Sequence, residues 1–142
     1  MDIRFVAGFG PIGPDPDETH RFWSGTLGLR FDEIAPGHHH ARALDGAKVF
    51  GLWLLTQAAE ATSGVPGRPS HLPVPQAWVE FELASPTAVA DGAAELTAAG
   101  RQLPAGLKTE PWGQTTARLL SPEGLLVGPS HLPGFHEGTT AA

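Results

Sequence analysis

Short apolar stretches separated by turn residues run through the first third of the chain. Asp15 precedes Pro16 and further acidic residues, which indicates the start of a helix, and Gly28 is typical of a helix end. Asp45-Gly46 indicates a tight hairpin between two of the stretches that follow. β-branched and aromatic residues make these stretches typical of strands. The predicted elements are strands over 3–9, 29–34, 38–44 and 48–55, with one helix between Asp15 and Gly28.

The same order of elements begins again after residue 75. Alternating residues predict a strand over 76–84, and Ser85-Pro86 predicts a helix that ends at Gly100. Three short strands follow, over 102–110, 114–120 and 125–129. The stretch between the two halves is rich in Pro and Gly and is predicted to be a connecting loop. The chain is therefore predicted to be a single α+β domain of two βαβββ modules, residues 1–56 and 76–131, joined by loop 57–75.

Composition narrows the class of protein. The chain has 142 residues, 41% of them hydrophobic, which supplies one domain with a core. The absence of cysteine excludes disulfides and thiolate metal ligands. A net charge of −6 without a basic cluster argues against nucleic-acid binding. No signal peptide is recognisable, and no window reaches the roughly 18 apolar residues of a membrane span. We therefore expect a cytoplasmic protein.

The duplicated unit resembles the vicinal oxygen chelate superfamily, which includes glyoxalase I, extradiol dioxygenases and the bleomycin-resistance binding proteins. The resemblance covers nearly the whole chain and implies two modules whose sheets curl into an open cup. It also implies a homodimer with a small molecule held at or near the shared interface. The motifs that carry it are Asp15, Phe22-Trp23, Leu27-Gly28-Leu29, Pro111-Trp112-Gly113 and Ser121-Pro122-Glu123-Gly124.

In metal-dependent members of that superfamily, the first and last strands of each module supply His, Gln or Glu ligands to a divalent metal. The matching positions here are Gly8, Phe50 and Gly128, with Trp78 as the fourth, or Glu80 if the strand is shifted by two residues. A divalent cation needs several convergent ligands, and one carboxylate does not provide them. The resemblance therefore implies that this cup has lost its metal, and we expect no cofactor.

Strand alternation directs Trp78 and Glu80 into the cup. Aromatic residues at its rim and a few polar anchors would suit flat, apolar or conjugated molecules. The leading prediction is metal-independent binding and sequestration of an aromatic or apolar small molecule, as in antibiotic-resistance or natural-product-binding proteins. The predicted ligand-binding residues are Phe50, Trp53, Trp78, Glu80, Trp112, Gln114 and Arg118.

Two enzymatic alternatives remain open. In the first, a glyoxalase-like lyase or isomerase uses Glu80 as a general base, and Arg118 or a histidine stabilises the developing charge. In the second, a dioxygenase-related or similar enzyme binds a divalent metal through ligands outside the superfamily positions. His38 and His40 are candidates with Glu80, because alternate residues of a strand face the same way.

Overall fold

A computed structural model describes residues 1–26, 28–64, 74–121 and 124–137, with the side chain of Phe22 outside the description. Within these residues, nine strands form one sheet and three α-helices pack against it. The strands are β1 (Phe5–Gly13), β2 (Asp32–Ala35), β3 (His38–Ala41), β4 (Val49–Leu54), β5 (Ala77–Glu82), β6 (Leu107–Thr109), β7 (Thr115–Ala117), β8 (Leu119–Leu120) and β9 (Leu126–His131). The helices are α1 (Pro16–His20), α2 (Leu55–Ser63) and α3 (Pro86–Ala98).

The sheet has the same arrangement on both sides of its central strand pair. Its order is β2-β3-β4-β1-β5-β9-β7-β6, and β8 pairs with β9. β1 and β5 are antiparallel to each other, and each has a parallel partner, β4 and β9 respectively. The two halves therefore join within one chain into a continuous mixed sheet. This architecture confirms the predicted α+β class.

The two predicted helix starts are stabilised by side-chain caps. Asp15 Oδ1 accepts the backbone N–H groups of Asp17 and Glu18, both at 3.1 Å. Ser85 Oγ accepts the N–H of Ala88 at 3.1 Å, at the start of α3. Each bond satisfies a backbone donor that has no partner within the helix. After α1 the chain continues as a π-helical segment, Arg21–Thr26.

The prediction of a loop from residue 57 is wrong over its first part, because α2 occupies Leu55–Ser63. Ala58 and Ala61 bury one side of this helix against the sheet, and Gly64 ends it at a φ of +81°. Residues 65–73 of the predicted loop lie outside the described residues. The described helices all fall short of the length and apolar content that a membrane-crossing segment requires.

Apolar side chains are packed on both faces of β4. One cluster, on the side of the first helix, consists of Ala41, Phe50 and Leu52 with Trp23, Leu29 and Phe31. The other lies on the concave face of the sheet and consists of Ile12, Val49, Trp53, Ala58, Ala61, Trp78 and Leu126. This second cluster forms the floor of a cavity.

Candidate ligand-binding site

A cavity of about 370 Å³ opens on the concave face of the sheet. Its size is within the range of small-molecule sites, which are roughly 300–1,000 Å³. Aromatic side chains from different parts of the chain line it, namely Trp53, Trp78, Trp112 and Phe135. Trp53 and Trp78 meet edge to face, with ring centroids 5.7 Å apart and planes at 73°. This packing fixes the orientation of both indoles.

The strand register defines the row of positions at which the resemblance implies metal ligands. Gly8 pairs with Val49 on β4 and with Glu80 on β5, and Glu80 pairs with Gly128 on β9. These four residues therefore lie side by side across four strands. Of the four, only Glu80 has a side chain with an oxygen or nitrogen atom. In this register Glu80, and not Trp78, is the residue of β5 that lies beside Gly8 and Gly128.

The indole of Trp78 packs over Gly8 of this row and over Gly51 of β4. A Cβ atom on Gly8 would lie 2.6 Å from the Trp78 ring carbons Cη2 and Cζ3, and one on Gly51 would lie 3.2 Å from Cζ2. On the other side, Gly128 lies beneath the side chains of Glu80 and Arg118. The space that the first-strand ligand would need is filled by a carbon ring. The residues of this row therefore do not fit a divalent metal.

The prediction that Phe50 lines the cup is wrong. Phe50 packs on the opposite face of β4, with its ring centroid 5.3 Å from that of Trp23. The cavity is lined instead by Val49 and Trp53, the first and fifth residues of β4, whereas Phe50 is the second. Successive side chains of a strand point to opposite faces, so an error of one residue exchanges the two faces.

A chain of hydrogen bonds crosses one wall of the cavity. Trp112 Nε1 donates to Gln114 Oε1 at 3.0 Å, and Gln114 Nε2 donates to Glu80 Oε2 at 2.8 Å. The other oxygen of Glu80, Oε1, lies 3.4 Å from Arg118 Nη2. Burial raises the pKa of the Glu80 carboxyl, while Arg118 and the Gln114 amide oppose this rise.

Arg118 is the centre of this polar wall, and its side chain is 3% exposed. Its Nη1 donates to Glu110 Oε1 at 2.6 Å and to the carbonyl of Ala61 in α2 at 3.2 Å. Lys108 Nζ lies 3.1 Å from the same Glu110 oxygen. The guanidinium also lies over the ring of Trp53, 5.3 Å from its centroid. A buried cation with these partners holds α2, β5 and the β6–β7 hairpin in one arrangement.

His38 and His40 lie on the opposite wall, with their Nε2 atoms 3.2 Å apart. Burial, followed by the charge of neighbouring residues, lowers the pKa of His38 to about 4 and that of His40 to about 3. Both imidazoles are therefore neutral at pH 7. The ring of His38 stacks on Trp53 at 5.8 Å. Among the described residues, His38, His40 and Glu80 do not bring three ligand atoms within 4.8 Å of one another.

The structure brings six of the seven predicted site residues to one cavity: Trp53, Trp78, Glu80, Trp112, Gln114 and Arg118. Sequence reasoning missed Glu110, the principal partner of Arg118. It also missed Phe135, which lies in a 3₁₀ turn after β9. Glu110 had no local signal, because the burial of Arg118, which requires a carboxylate nearby, is not visible in the sequence. Phe135 had none either, since it follows the last predicted strand.

Comparison with known proteins gives a match at the level of the fold. No family model and no curated protein matches the sequence. A solved glyoxalase/bleomycin resistance protein/dioxygenase superfamily member from Vibrio splendidus is 14% identical, with a TM-score of 0.58, over 92% of this chain and 100% of that chain. A methylmalonyl-CoA epimerase from Streptomyces coelicolor, in complex with 2-nitronate-propionyl-CoA, is 16% identical, with a TM-score of 0.55, over 93% and 96%.

A third solved structure, from Legionella pneumophila, is described as an NAD-dependent benzaldehyde dehydrogenase. It is 14% identical, with a TM-score of 0.61, over 88% of this chain and 97% of that chain. At these identities the likenesses establish the fold and do not extend to activity. The chain has the fold of the glyoxalase and bleomycin-resistance proteins, the vicinal oxygen chelate fold, as the sequence predicted.

Proposed function

We propose that this protein binds an apolar, ring-containing small molecule in the cavity without a metal ion and holds it unchanged. The observation that carries the proposal is the row Val49, Gly8, Glu80 and Gly128, with the indole of Trp78 packed over Gly8. Three of these residues offer no metal ligand, and the indole fills the space that a ligand side chain on the first strand would need. The cavity thus presents rings where metal-dependent relatives would present a cation.

The lining supports a flat ligand. Trp53, Trp78 and Trp112 provide three indole surfaces, and each ring that stacks on such a surface contributes about 0.5–1.5 kcal/mol beyond its burial. Glu80 and Gln114 provide a hydrogen-bonding wall that would fix the orientation of a substituent on that ligand. Elsewhere the cavity is lined by the neutral imidazoles of His38 and His40 and by Arg42.

The proposal is tested by titrating fused-ring compounds, beginning with naphthoquinones and anthraquinones, against the intrinsic tryptophan fluorescence. Trp112 is 54% exposed at the mouth of the cavity, so Trp112→Ala should leave the fold intact and weaken binding by about 2- to 12-fold. Phe9 is a comparably exposed ring on the other face of β1, and Phe9→Ala is the matched control. Equal effects of the two substitutions, or no quenching across the panel, would contradict the proposal.

A second candidate function is general acid–base catalysis on the bound molecule. It is favoured by the position of Glu80, whose carboxylate faces the cavity beside the Arg118 guanidinium. In such a reaction Glu80 would accept a proton from an acidic C–H of the ligand, and Arg118 would stabilise the negative charge left behind. Glu80→Gln separates the two functions. Sequestration predicts that the variant still binds and that neither protein converts the ligand, whereas catalysis predicts turnover that the variant loses.

The proposal includes the cytoplasmic homodimer that the resemblance implies. Ile34 and Trp112 both line the mouth of the cavity and are largely exposed, so a second copy placed over the mouth would bury them. Light scattering on the eluting protein measures its mass directly. A mass of one chain at micromolar concentration, with or without ligand, would contradict the dimer.

A further inference from the structure

Two imidazoles and a carboxylate meet outside the cavity, at the carboxyl ends of β5 and β9. Because these strands are parallel, Glu82 at the end of one lies beside His131 at the end of the other. The 3₁₀ turn Pro133–Phe135 then brings His136 back towards the same carboxylate. His136 Nε2 is 2.9 Å and His131 Nδ1 is 3.6 Å from Glu82 Oε1. One ligand atom from each of the three residues lies within 4.8 Å of the other two.

The carboxylate of Glu82 is fully buried and firmly oriented. Its Oε1 accepts the backbone N–H of Leu132 at 2.7 Å, and its Oε2 accepts the Ser130 hydroxyl at 3.4 Å. Outer hydrogen bonds of this kind are what hold a metal-ligating carboxylate in place. The two imidazole rings stack at a centroid distance of 4.7 Å, and both present a nitrogen to Glu82.

We propose that Glu82, His131 and His136 bind a divalent transition-metal ion. Two imidazoles and one carboxylate are the ligand set of several zinc sites and of mononuclear iron(II) sites. This site is separate from the row that includes Gly8 and Glu80, and its three residues do not line the cavity. The side chain of His136 is about one-third exposed, which gives an ion a path into the otherwise buried cluster.

Binding through Nδ1 requires the tautomer of His131 that carries its proton on Nε2. Nδ1 lies 3.1 Å from the carbonyl oxygen of Leu83, so the ring gives up its contact with that carbonyl when Nδ1 binds the metal. The ion then replaces that contact with a coordinate bond.

The position of the site also suggests what the ion does. Leu132 and Phe135 lie between the two histidine ligands in the sequence, and both line the cavity. An ion held by His131 and His136 would fix both ends of this segment against the sheet. The ion would therefore stabilise the fold and the cavity wall, without touching the ligand.

The test uses full-length protein without a histidine tag, freed of metal by a chelator and then titrated with Zn²⁺ against a competing indicator. We expect one equivalent per chain and a melting temperature that rises with Zn²⁺ and returns when the chelator is added. His136→Gln should weaken Zn²⁺ binding by more than the roughly 10- to 100-fold that loss of an outer-shell partner produces. Co²⁺ in place of Zn²⁺ should give visible absorption bands that the variant lacks.

His38→Gln is the matched control, because it removes a partly buried histidine from the cavity and leaves Glu82 untouched. It should bind Zn²⁺ as the unaltered protein does. Zn²⁺ uptake that His38→Gln reduces as much as His136→Gln would overturn the proposal by moving the ion to the cavity. Unaltered protein that takes up neither Zn²⁺ nor Co²⁺ would overturn it whatever the variants do, and leave a hydrogen-bonded cluster of Glu82 with two imidazoles.

Discussion

Replacing Arg118 by methionine removes the buried cation but keeps much of its aliphatic length. At 2.6 Å and an effective dielectric constant of about 20, the attraction between Arg118 and Glu110 is roughly 6 kcal/mol before the cost of desolvation. Removing one partner of a buried pair typically costs about 3–5 kcal/mol, because the other charge remains buried. Lys108 stays 3.1 Å from the Glu110 carboxylate, so we expect the lower end, about 3 kcal/mol.

Urea unfolding followed by circular dichroism measures this loss of unfolding free energy. Thermal unfolding gives a second measurement: at about 2–4 °C per kcal/mol for a chain near this size, the melting temperature should fall by roughly 6–12 °C. Arg4→Met is the control, because Arg4 pairs with Asp2 at 3.0 Å on the surface, where such pairs contribute about 0–1 kcal/mol. In the double variant Glu110→Gln, Arg118→Met, the loss should be smaller than the sum of the single losses, since the Arg118–Glu110 attraction is lost only once, although Glu80 loses its cation and Lys108 its carboxylate.

The reasoning would be refuted by a loss below about 1 kcal/mol in Arg118→Met, which is the range of a solvent-exposed pair. Additive losses in the double variant would refute it equally, because they would mean that the two side chains do not interact.

Two further predictions concern the cavity. Gly8→Ala should lower the free energy of unfolding in urea by about 1–3 kcal/mol, because the new Cβ would lie 2.6 Å from the Trp78 ring. Gly25→Ala is the control, because its Cβ would lie 3.8 Å from the nearest atom, and it should not lower the free energy of unfolding. Equal losses in the two variants would contradict the close approach of Gly8 to Trp78. Because the folded-state pKa values of His38 and His40 lie below 6.5, the unfolded chain binds more protons in acid. Their contribution to stability is therefore present above pH 6.5 and is lost as the pH falls towards 4 and 3. His40→Gln should flatten this part of the stability-against-pH curve, and an unchanged slope would argue that the imidazole is solvated.

Sequence patterns predicted the fold well where local chemistry decides the structure. Asp15, Ser85 and Gly100 mark helix ends through hydrogen bonds or a positive φ, and these are properties of a few neighbouring residues. The hairpin between β3 and β4 was recognised from Asp45-Gly46, but residues 42–48 lie between the strands and the turn is not tight. The turn residues indicated that the chain reverses here, but they did not determine the length of the connection.

The errors arose where local patterns are ambiguous. In β4, apolar residues occupy both faces, because the first helical segment packs on one face and the cavity floor lies on the other, so periodicity could not assign Phe50 to a side. The helix α2 was missed because its Ala-rich sequence was grouped with the Pro- and Gly-rich residues after Gly64. Glu110 depends on the meeting of β6 with the end of β7, a contact that the order of residues does not reveal.

The two halves of the chain share an order of strands but contribute different kinds of side chain to the interior. Among the described residues, the buried acidic and guanidinium groups, Glu82, Glu110 and Arg118, all follow residue 75, whereas Trp53 and the imidazoles of His38 and His40 come from the first half. In the cavity itself the second half supplies the Glu80 carboxylate and the Arg118 guanidinium, while the first half supplies the imidazoles and the guanidinium of Arg42. The two halves are therefore not chemically equivalent, and a bound molecule with one polar substituent would have one preferred orientation.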